Sequence, residues 1–235
     1  MHRVIDYISE RIEELIYESS ESGFGVTTTD FDLNSFDYLF RAKSLIDIES
    51  TEAFDPLTKN EIVHYLKTAI ECQIDTLLNS YCIEFKKLNL PNKLNFIKKL
   101  NLITGSNLVE LNKIRNRTIH EYQIAKVTDK EIQLYYDIAY SLIWSIQPIL
   151  TIIHQNRGLK FKAKDGYITI YINEFQPIIT YYIYINGKGE TIEEDLRDNL
   201  NLDTFSESIK VHLLMSQFES LRNKRTILKL IKNCH

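Results

Sequence analysis

Apolar side chains recur at spacings of three and four residues through the first 150 positions of the chain, where glycine and proline are rare. This spacing is typical of amphipathic helices that pack against one another. One predicted helix contains Arg115. The others are predicted over residues 4–17, 35–48, 60–87, 93–100 and 129–155. Because the connectors are short, we expect four or five of these helices to pack antiparallel in a bundle.

Local signals indicate where three of these helices begin. Asp32 or Asn34 precedes the helix over 35–48 as an N-cap, because a side-chain oxygen there accepts hydrogen bonds from free backbone N–H groups. Residues 58–61 and 128–131 both have the Thr-x-x-Glu pattern of a capping box. The apolar face of the helix over 60–87 is predicted to consist of Ile62, Leu66, Ala69, Ile70, Ile74 and Leu77.

The pattern changes after residue 157 to alternating and β-branched positions, which are typical of strands. Strands are predicted over 159–164, 167–171 and 178–185. Asp165-Gly166 and Asn186-Gly187 are the turn signals. A final helix, with a capping box that begins at Thr204, is expected to continue to about residue 232.

These patterns predict a mainly α fold in two parts. Residues 1–156 form the antiparallel helical bundle, whose core covers about 30–156, and residues 157–235 form a smaller α+β extension of three strands and a terminal helix. A chain of 235 residues, 44% of them hydrophobic, can bury a substantial core.

Charge is unevenly distributed along a chain whose formal net charge is −4. Residues 1–60 have 5 basic and 13 acidic side chains, whereas residues 61–130 have 11 basic and 7 acidic ones. Residues 210–235 contain six Lys or Arg and a single acidic residue, Glu219. The negative total argues against a protein that coats nucleic acid through bulk charge. The basic middle segment is the part that we expect to face phosphates, and the tail is a second candidate.

Cysteine usage argues against a disulfide framework and a metal centre. Cys72, Cys82 and Cys234 are too few and too scattered for a set of disulfides. Cys72 and Cys82 lack the close Cys/His spacing of a zinc site, and Cys234 lies next to the end of the chain. We expect reduced thiols and neither a metal nor a cofactor.

The apolar run over residues 138–153 is shorter than the roughly 20 residues that a bilayer span requires. Gln147 and Pro148 also interrupt it, so we expect a buried helix. The first 16 residues include four acidic side chains, which suits an amphipathic helix better than a secretory signal. We therefore expect a cytoplasmic protein that does not bind a membrane.

One stretch, residues 112–122, reads Asn-Lys-Ile-Arg-Asn-Arg-Thr-Ile-His-Glu-Tyr and contains an Arg-x4-His-x-Tyr motif. An Arg followed by a His a few residues later is common by chance, but the gap of four together with Asn116 and Tyr122 is much more specific. Arg115 supplies a forked cation that keeps its charge beside a phosphate. The imidazole of His120 titrates near neutral pH and can transfer protons.

This motif resembles that of the HEPN superfamily, whose helical bundles have Arg-x4-6-His on the penultimate core helix, often with a polar residue after the Arg. Here too the motif lies on the penultimate predicted helix of an all-α region, ahead of a long apolar helix. The resemblance covers about residues 30–156 and implies a HEPN-like bundle. The Arg-x4-His-x-Tyr form looks like that of HEPN toxins paired with minimal nucleotidyltransferase antitoxins.

The resemblance implies a metal-independent RNA endonuclease that acts as a toxin or phage-defence effector. His120 would transfer protons to and from the ribose oxygens, Arg115 would hold the phosphate, and Asn116 would orient it or hydrogen-bond to it. The products would have 2′,3′-cyclic phosphate ends. In such a pair, a nucleotidyltransferase antitoxin would restrain the enzyme by transferring AMP to Tyr122.

Ideal helix geometry adds an expectation about assembly. At 100° per residue, Arg115 and His120 diverge by about 140° on one α-helix and do not converge on one phosphate. Two copies related by a two-fold axis would line one cleft with duplicated side chains, as HEPN ribonucleases are understood to do. We therefore expect a homodimer. The same geometry places Arg117 and Glu121 on the solvated side.

Two alternatives to cleavage stay open at this stage. One is a non-catalytic HEPN-type module that binds a nucleotide, an RNA or a protein. The other is a structural dimerisation protein, whose interface would use some of the 14 tyrosines. The intact motif favours cleavage over both.

Overall fold

The structure, a computed structural model, describes residues 2–22, 31–48, 54–84, 86, 88–120, 124–196, 202–218 and 224–232. The α-helices in these ranges are α1 (His2–Arg11), α2 (Ser35–Ile48), α3 (Pro56–Ser80), α4 (Leu90–Lys99), α5 (Gly105–Arg115), α6 (Asp129–Gln155), α7 (Leu202–Ser216) and α8 (Lys224–Lys232). A π-helical segment, Asn116–His120, follows α5, and a short 3-10 helix covers Ile124–Lys126. The fold is mainly α, with an α+β part.

The sheet is antiparallel throughout and has the strand order β1-β2-β3-β4-β5. The strands are β1 (Ile16–Glu21), β2 (Gly158–Ala163), β3 (Gly166–Ile172), β4 (Ile178–Ile185) and β5 (Lys188–Asp195). Neighbouring strands from β2 to β5 follow one another along the chain, so this part is a meander. β1 instead pairs with β2 across more than 130 intervening residues.

The chain divides into two compact units. Unit 1 consists of Met1–Thr27, Leu78–Glu84 and Ile149–His235, and unit 2 consists of Thr28–Leu77 and Phe85–Pro148. This division differs from the expected boundary after residue 156, because the N-terminal segment belongs with the sheet.

Unit 1 is a sheet with helices on one face. The aliphatic positions of β3, such as Ile168 and Ile170, are fully buried. Tyr181 on β4 is also fully buried, and its hydroxyl donates to the carbonyl of Ser208 on α7. The helices α7 and α8 contact each other, and α1 contacts α8. Alternation along the central strands β2, β3 and β4 therefore directs one side of the sheet into a helical layer.

Unit 2 contains the helical core that the apolar spacing predicts. The predicted apolar face of α3 is confirmed, since each of its members is at most 3% exposed: Ile62, Leu66, Ala69, Ile70, Ile74 and Leu77. The helix α2 buries Leu39, Ala42 and Ile46. The part of α6 in this unit buries Ile132, Tyr135, Ala139, Leu142, Ile143 and Ile146.

Two predicted caps are confirmed and a third is wrong. The Asn34 side chain accepts from the backbone of Phe36 and Asp37 at the start of α2. Thr128 and Glu131 form the predicted capping box at the start of α6, with Thr128 N donating to Glu131 and Glu131 N donating to Thr128. The helix α3 begins at Pro56, before the predicted box at Thr58, because Asp55 caps its first turn.

The predicted helix over 4–17 is also too long. The helix α1 ends at Arg11, and Ile16–Glu21 form the edge strand β1. The Arg11 guanidinium forms an ion pair with Asp165, at 2.9 Å, and lies over the ring of Tyr7. Tertiary contacts of this kind and strand pairing with β2 outweigh the local helical spacing.

The end of α3 differs in a similar way. The expected helix over 60–87 ends at Ser80, because Cys82 adopts a positive φ of 57°. The amides of Tyr81 and Cys82 bond back to Leu78 and Asn79 in a closing turn. A left-handed residue of this kind ends a helix.

The C-terminal part supplies four strands in place of the expected three, and β1 from the N-terminal segment is the fifth strand of the sheet. The Asn186-Gly187 turn is confirmed, with φ values of 48° and 83° that suit a tight hairpin turn. The earlier turn lies one residue before its predicted place, because Ala163 already pairs with Gly166. A Cβ at Gly166 would lie 1.7 Å from the carbonyl oxygen of Tyr184, so this position requires glycine.

The predicted terminal helix is two helices, α7 and α8. The helix α7 begins at Leu202, two residues before the predicted capping box at Thr204, so that box is wrong. The amides of Gln217 and Phe218 bond back to Leu214 and Met215 and close the helix.

The expectation of a buried helix over 138–153 concerns α6. Among the described residues, α6 is the helix long and apolar enough to cross a membrane by length and composition. Core helices of soluble proteins pass the same test, and 44% of its most apolar window is buried inside the molecule. Pro148 lies within this helix.

Candidate functional site

The Arg-x4-His motif lies where α5 changes into the π-helical segment Asn116–His120, which we call the π-turn. Thr104 caps the start of α5 by accepting from Asn107 N, at 3.2 Å, so residues 105–107 form the first turn of the helix. The buried Thr118 hydroxyl donates to the carbonyl of Ile114, at 2.9 Å. Hydroxyls that bond back in this way accompany bends and irregular turns in helices.

The π-turn changes the relation between Arg115 and His120. The expected divergence of about 140° assumes an ideal α-helix, in which backbone hydrogen bonds join residues four apart. In a π-helix the bonds join residues five apart, so positions i and i+5 lie about one turn above one another. The geometric premise of the two-protomer argument is therefore wrong. The backbone positions 115 and 120 lie on one side of the helix.

Two of the predicted site residues, His120 and Tyr122, lie partly or wholly outside the described part of the chain. The backbone of His120 belongs to the π-turn, but its side chain is outside the described part of the structure. Tyr122 lies wholly outside the described residues. Their predicted roles in proton transfer and regulation stay predictions.

Arg115 is half-buried at the end of α5. Its Nε atom is buried and has no hydrogen-bond partner within the described residues. No carboxylate among those residues forms an ion pair with its guanidinium. A partly buried charge without a counterion is uncommon, because burial costs free energy unless the charge is paired. As far as the described residues go, Arg115 is therefore a candidate for binding an anion.

The surroundings of Arg115 are mostly apolar. A cavity next to it is lined by Lys67, Ile70, Leu90, Leu94, Leu111, Asn112 and Tyr135. Its volume is about 10 Å³, the space that about one water molecule occupies. No ribose phosphate fits in this cavity, so an anionic ligand of Arg115 binds on the exposed side of the guanidinium.

Charged neighbours give this region a positive balance. Burial raises the pKa of Tyr135, the Arg115 charge opposes this rise, and the Glu71 carboxylate adds to it. Glu71 also pairs with Lys67, at 3.8 Å. Arg115 and Glu71 therefore both act on the Tyr135 hydroxyl, and Lys67, which lines the same cavity, pairs with Glu71.

Arg117 is not solvated as expected. Its guanidinium forms an ion pair with Glu131 on α6, and both side chains are largely buried. Arg117, followed by the Thr128 backbone, holds the pKa of Glu131 down at about 2. The ion pair fixes the π-turn against the first turn of α6. Of the two arginines in the motif, Arg117 is therefore the structural one.

Asn116, the third predicted catalytic residue, is exposed at the start of the π-turn. Its backbone N–H donates to the carbonyls of Asn112 and Lys113, so its backbone is held in helical conformation while its side chain lies at the surface. Arg115 and Asn116 are thus consecutive, one half-buried and one exposed. Lys67 and Tyr135 are neighbours that the motif did not reveal, because they lie on other helices.

A second Arg/His pair lies in unit 1. The guanidinium of Arg157 donates to the carbonyls of Asn173 and Ser80, at 3.2 and 3.3 Å. The Nε2 of His212 donates to the carbonyl of Asn156, at 2.7 Å. Burial lowers the pKa of His212 to about 4. Both side chains are at most 2% exposed, so this pair is part of the core.

Within the described ranges, no three His, Cys, Asp or Glu side chains form a group that could hold a metal ion. The larger cavity of unit 2, with a volume of about 500 Å³, is acidic and includes Asp32, Glu71 and Asp75. Such a lining repels phosphate. The positive region around Arg115 is the better candidate for an anionic ligand.

Comparison with known proteins found no match. The sequence matches no protein-family model and no curated protein, and the fold matches no solved structure.

Proposed function

We propose that the chain is a metal-independent RNA endonuclease of the HEPN type that acts as a toxin or phage-defence effector. The observation that carries the proposal is the Arg-x4-His-x-Tyr motif at the π-turn, where Arg115 has no carboxylate partner among the described residues. Irregular π-helical turns frequently occur at functional sites. The nearby Arg117 is already paired, which leaves Arg115 for the ligand.

The chemistry begins when His120 accepts the proton of a ribose 2′-OH. The 2′ oxygen then forms a bond to the adjacent phosphorus, and the bond from phosphorus to the 5′ oxygen breaks. The leaving 5′ oxygen takes up a proton from an imidazolium, and the products have a 2′,3′-cyclic phosphate and a 5′-OH. Arg115 stabilises the negative charge that builds up on the phosphoryl oxygens, and Asn116 orients them.

The homodimer stays part of the proposal, although the π-turn removes its original geometric reason. It now rests on the resemblance to HEPN ribonucleases alone. Because the backbone positions 115 and 120 lie about one π-helical turn apart, the two groups need not come from different protomers. The proposal therefore allows an active site within one chain, beside that of the partner.

Mixing two inactive variants distinguishes these arrangements. If Arg115 and His120 act from different protomers, a mixture of Arg115→Ala and His120→Ala chains regains part of the activity in mixed dimers. If both act from one chain, the mixture stays inactive. Light scattering of the wild type, against the 27.7 kDa of one chain, establishes whether a dimer exists.

The main test is cleavage of single-stranded RNA or tRNA by the purified protein in excess EDTA. His120→Ala is expected to abolish cleavage and to fold normally. Mass analysis of the wild-type products should find cyclic phosphate ends. Cleavage that persists in His120→Ala protein, or that needs an added divalent ion, contradicts the mechanism.

The partner in this proposal is a nucleotidyltransferase antitoxin that transfers AMP to Tyr122. Added negative charge near Arg115 would compete with the RNA phosphate. Intact-mass analysis of co-expressed wild type should find AMP adducts, which Tyr122→Phe protein lacks while it stays nucleolytic. An inactive but unmodified co-expressed protein contradicts this regulation and indicates inhibition by binding.

One observation favours the second candidate, a non-catalytic HEPN-type binding module. The cavity beside Arg115 has room for about one water, so the structure offers no enclosed pocket there. Such a module would bind RNA at Arg115 without cleaving it. Binding in the absence of any cleavage product would support this alternative.

A further inference from the structure

One face of the sheet in unit 1 carries tyrosines and lysines where the other face is aliphatic. The register pairs Tyr167 with Tyr184, Thr169 with Tyr182, and Lys162 with Tyr167. These side chains alternate with buried isoleucines along the strands, so they point away from the helical layer. We call this surface the tyrosine face; its members are Lys160, Lys162, Tyr167, Thr169, Tyr182 and Tyr184.

The rings on this face form an ordered group. Tyr167 stacks on Tyr184 with 5.2 Å between ring centroids and 17° between planes. Tyr182 lies 5.9 Å from Tyr167. Tyr182 is 38% exposed, whereas its chain neighbour Tyr181 is fully buried. The face therefore presents preorganised aromatic surface to solvent, in contrast to the core side of the same strands.

Beside the rings lies a trough with a volume of about 340 Å³. Tyr167, Tyr182 and Lys160 line one side, and Ser19 and Glu21 of β1 line the other. This volume falls in the range of roughly 300–1,000 Å³ that is usual for small-ligand sites. The trough thus has an aromatic wall and a polar wall, the combination that a nucleobase uses for stacking and for hydrogen bonds.

Small residues leave space for the trough. Gly158 and Thr169 line it, and neither has a large side chain. A Cβ at Gly158 would lie 3.2 Å from the side chain of Glu21 and 3.4 Å from the ring of Tyr171. A larger side chain at Gly158 would occupy part of the trough.

The two lysines of this face both act on the Glu18 carboxylate, but among the described residues only Lys160 pairs with it directly. Lys160 lies over the Tyr167 ring, at 5.1 Å, and its charge is offset by Glu18 at 2.8 Å. Lys162 is exposed and forms no ion pair within the described residues. It lies on the same strand as Lys160 and next to Tyr167 in the register. A phosphate beside the rings would therefore meet Lys162.

We propose that the tyrosine face binds single-stranded RNA, with a base in the trough against Tyr182 and Tyr167 and the adjacent phosphate at Lys162. Aromatic rings and lysines on a sheet bind unpaired bases by stacking, and a duplex hides those base faces. Glu21 and Ser19 supply hydrogen-bonding groups for the base edge. This binding does not depend on the proposed cleavage, because it involves none of the motif residues.

The test uses the full chain and a short fluorescein-labelled single-stranded RNA that is 2′-O-methylated, so that no cleavage through the 2′ oxygen occurs. Fluorescence anisotropy gives Kd. Replacing both Tyr167 and Tyr182 with leucine should raise Kd at least about tenfold, because base–aromatic stacking is lost. Replacing both with phenylalanine keeps the rings and should leave Kd within a few-fold of the wild type. Lys162→Ala should reduce the dependence of Kd on salt.

Trp144→Leu is the matched control, since Trp144 is 48% exposed but lies outside the sheet. Circular dichroism checks that each variant folds. The proposal is overturned if the wild type binds no oligoribonucleotide, or if a duplex of the same sequence binds equally well. Unchanged Kd in the double leucine variant, or an equal loss in Trp144→Leu, also overturns it. Because the RNA cannot be cleaved, a failure of the nuclease proposal leaves this result interpretable.

Discussion

The chain contains two Arg/His pairs whose surroundings differ. In unit 1, Arg157 donates to two backbone carbonyls and His212 to a third, and both side chains are in the core. In unit 2, Arg115 is half-buried and has no anionic partner among the described residues. The first pair satisfies carbonyl groups that strands and helices leave free, so it stabilises the fold. The second contains a cation for which the described residues supply no ion pair, so it is the candidate for function.

A similar contrast separates the two arginines of the motif itself. Arg117 is two residues from Arg115 and is paired with Glu131, which caps α6. The motif singles out Arg115 by its spacing to His120 and places Arg117 on the solvated side, but only the structure shows that Arg117 has a carboxylate partner. Arg117 binds a carboxylate at the start of α6 and so fixes the π-turn to that helix. Arg115 would not have to break an ion pair with a described residue in order to bind a ligand.

The largest expected effect therefore separates Arg115 from Arg117. Arg115→Ala should lower RNA cleavage by about 10²- to 10³-fold, as the loss of one group that stabilises developing charge does. Its melting temperature should stay close to that of the wild type. Arg117→Ala should instead lose stability, by about 1 kcal/mol, since an ion pair with partial exposure contributes little more. Its rate per folded molecule should stay within a few-fold.

The measurement is the initial rate of cleavage in EDTA together with urea unfolding of each variant. If Arg117→Ala loses as much activity as Arg115→Ala while both stay folded, the division between a structural and a functional arginine is wrong.

The next effect concerns the structural pair. Arg157→Met removes donors from the carbonyls of Asn173 and Ser80 in the core. Leaving buried acceptors unsatisfied should lower the free energy of unfolding by about 3 kcal/mol. The exposed Arg41 is the matched position, and Arg41→Met should change stability by less than about 0.5 kcal/mol. Urea unfolding measures both, and equal effects would contradict the structural role of Arg157.

The smallest effect is a pH dependence that arises from His212. Its folded-state pKa of about 4 lies below the ordinary value of 6.5, so the unfolded chain binds the proton first as the pH falls. The contribution of His212 is complete above about pH 6.5 and is lost as the pH falls toward 4. Between pH 7.5 and pH 5, this loss should amount to about 2 kcal/mol of unfolding free energy.

His212→Gln provides the comparison, because glutamine can donate to the Asn156 carbonyl without titrating. Urea unfolding at the two pH values should find a smaller difference for this variant than for the wild type. An equal difference in both proteins would assign the pH dependence to other groups.

Local signals predicted much of the fold. The helix α2 has its predicted bounds of 35–48, and α6 has its predicted bounds of 129–155. Both begin at caps whose hydrogen bonds involve residues within three positions of one another. The strand over 178–185 and the Asn186-Gly187 turn are likewise confirmed. In each case, the groups that decide the conformation are neighbours in the chain.

The candidate site was predictable only in part. The motif predicts Arg115, Asn116 and His120 as site residues from residue types and spacing alone. Ideal helix geometry was the wrong basis for their arrangement, since the π-turn depends on how Thr118 and its neighbours are held in the bundle. Lys67 and Tyr135 lie far from the motif in the chain, so no local pattern connects them with Arg115.

By itself, the sequence determined the helical character of the first part, the main caps and hairpin turns, and the residues that carry the candidate chemistry, because these follow from interactions among near neighbours. The tertiary structure decided the rest. It placed Ile16–Glu21 beside β2, stopped α1 at Arg11, and paired Arg117 with Glu131. Strand pairing and ion pairs between distant segments depend on which surfaces meet after the chain collapses, and local periodicity does not contain that information.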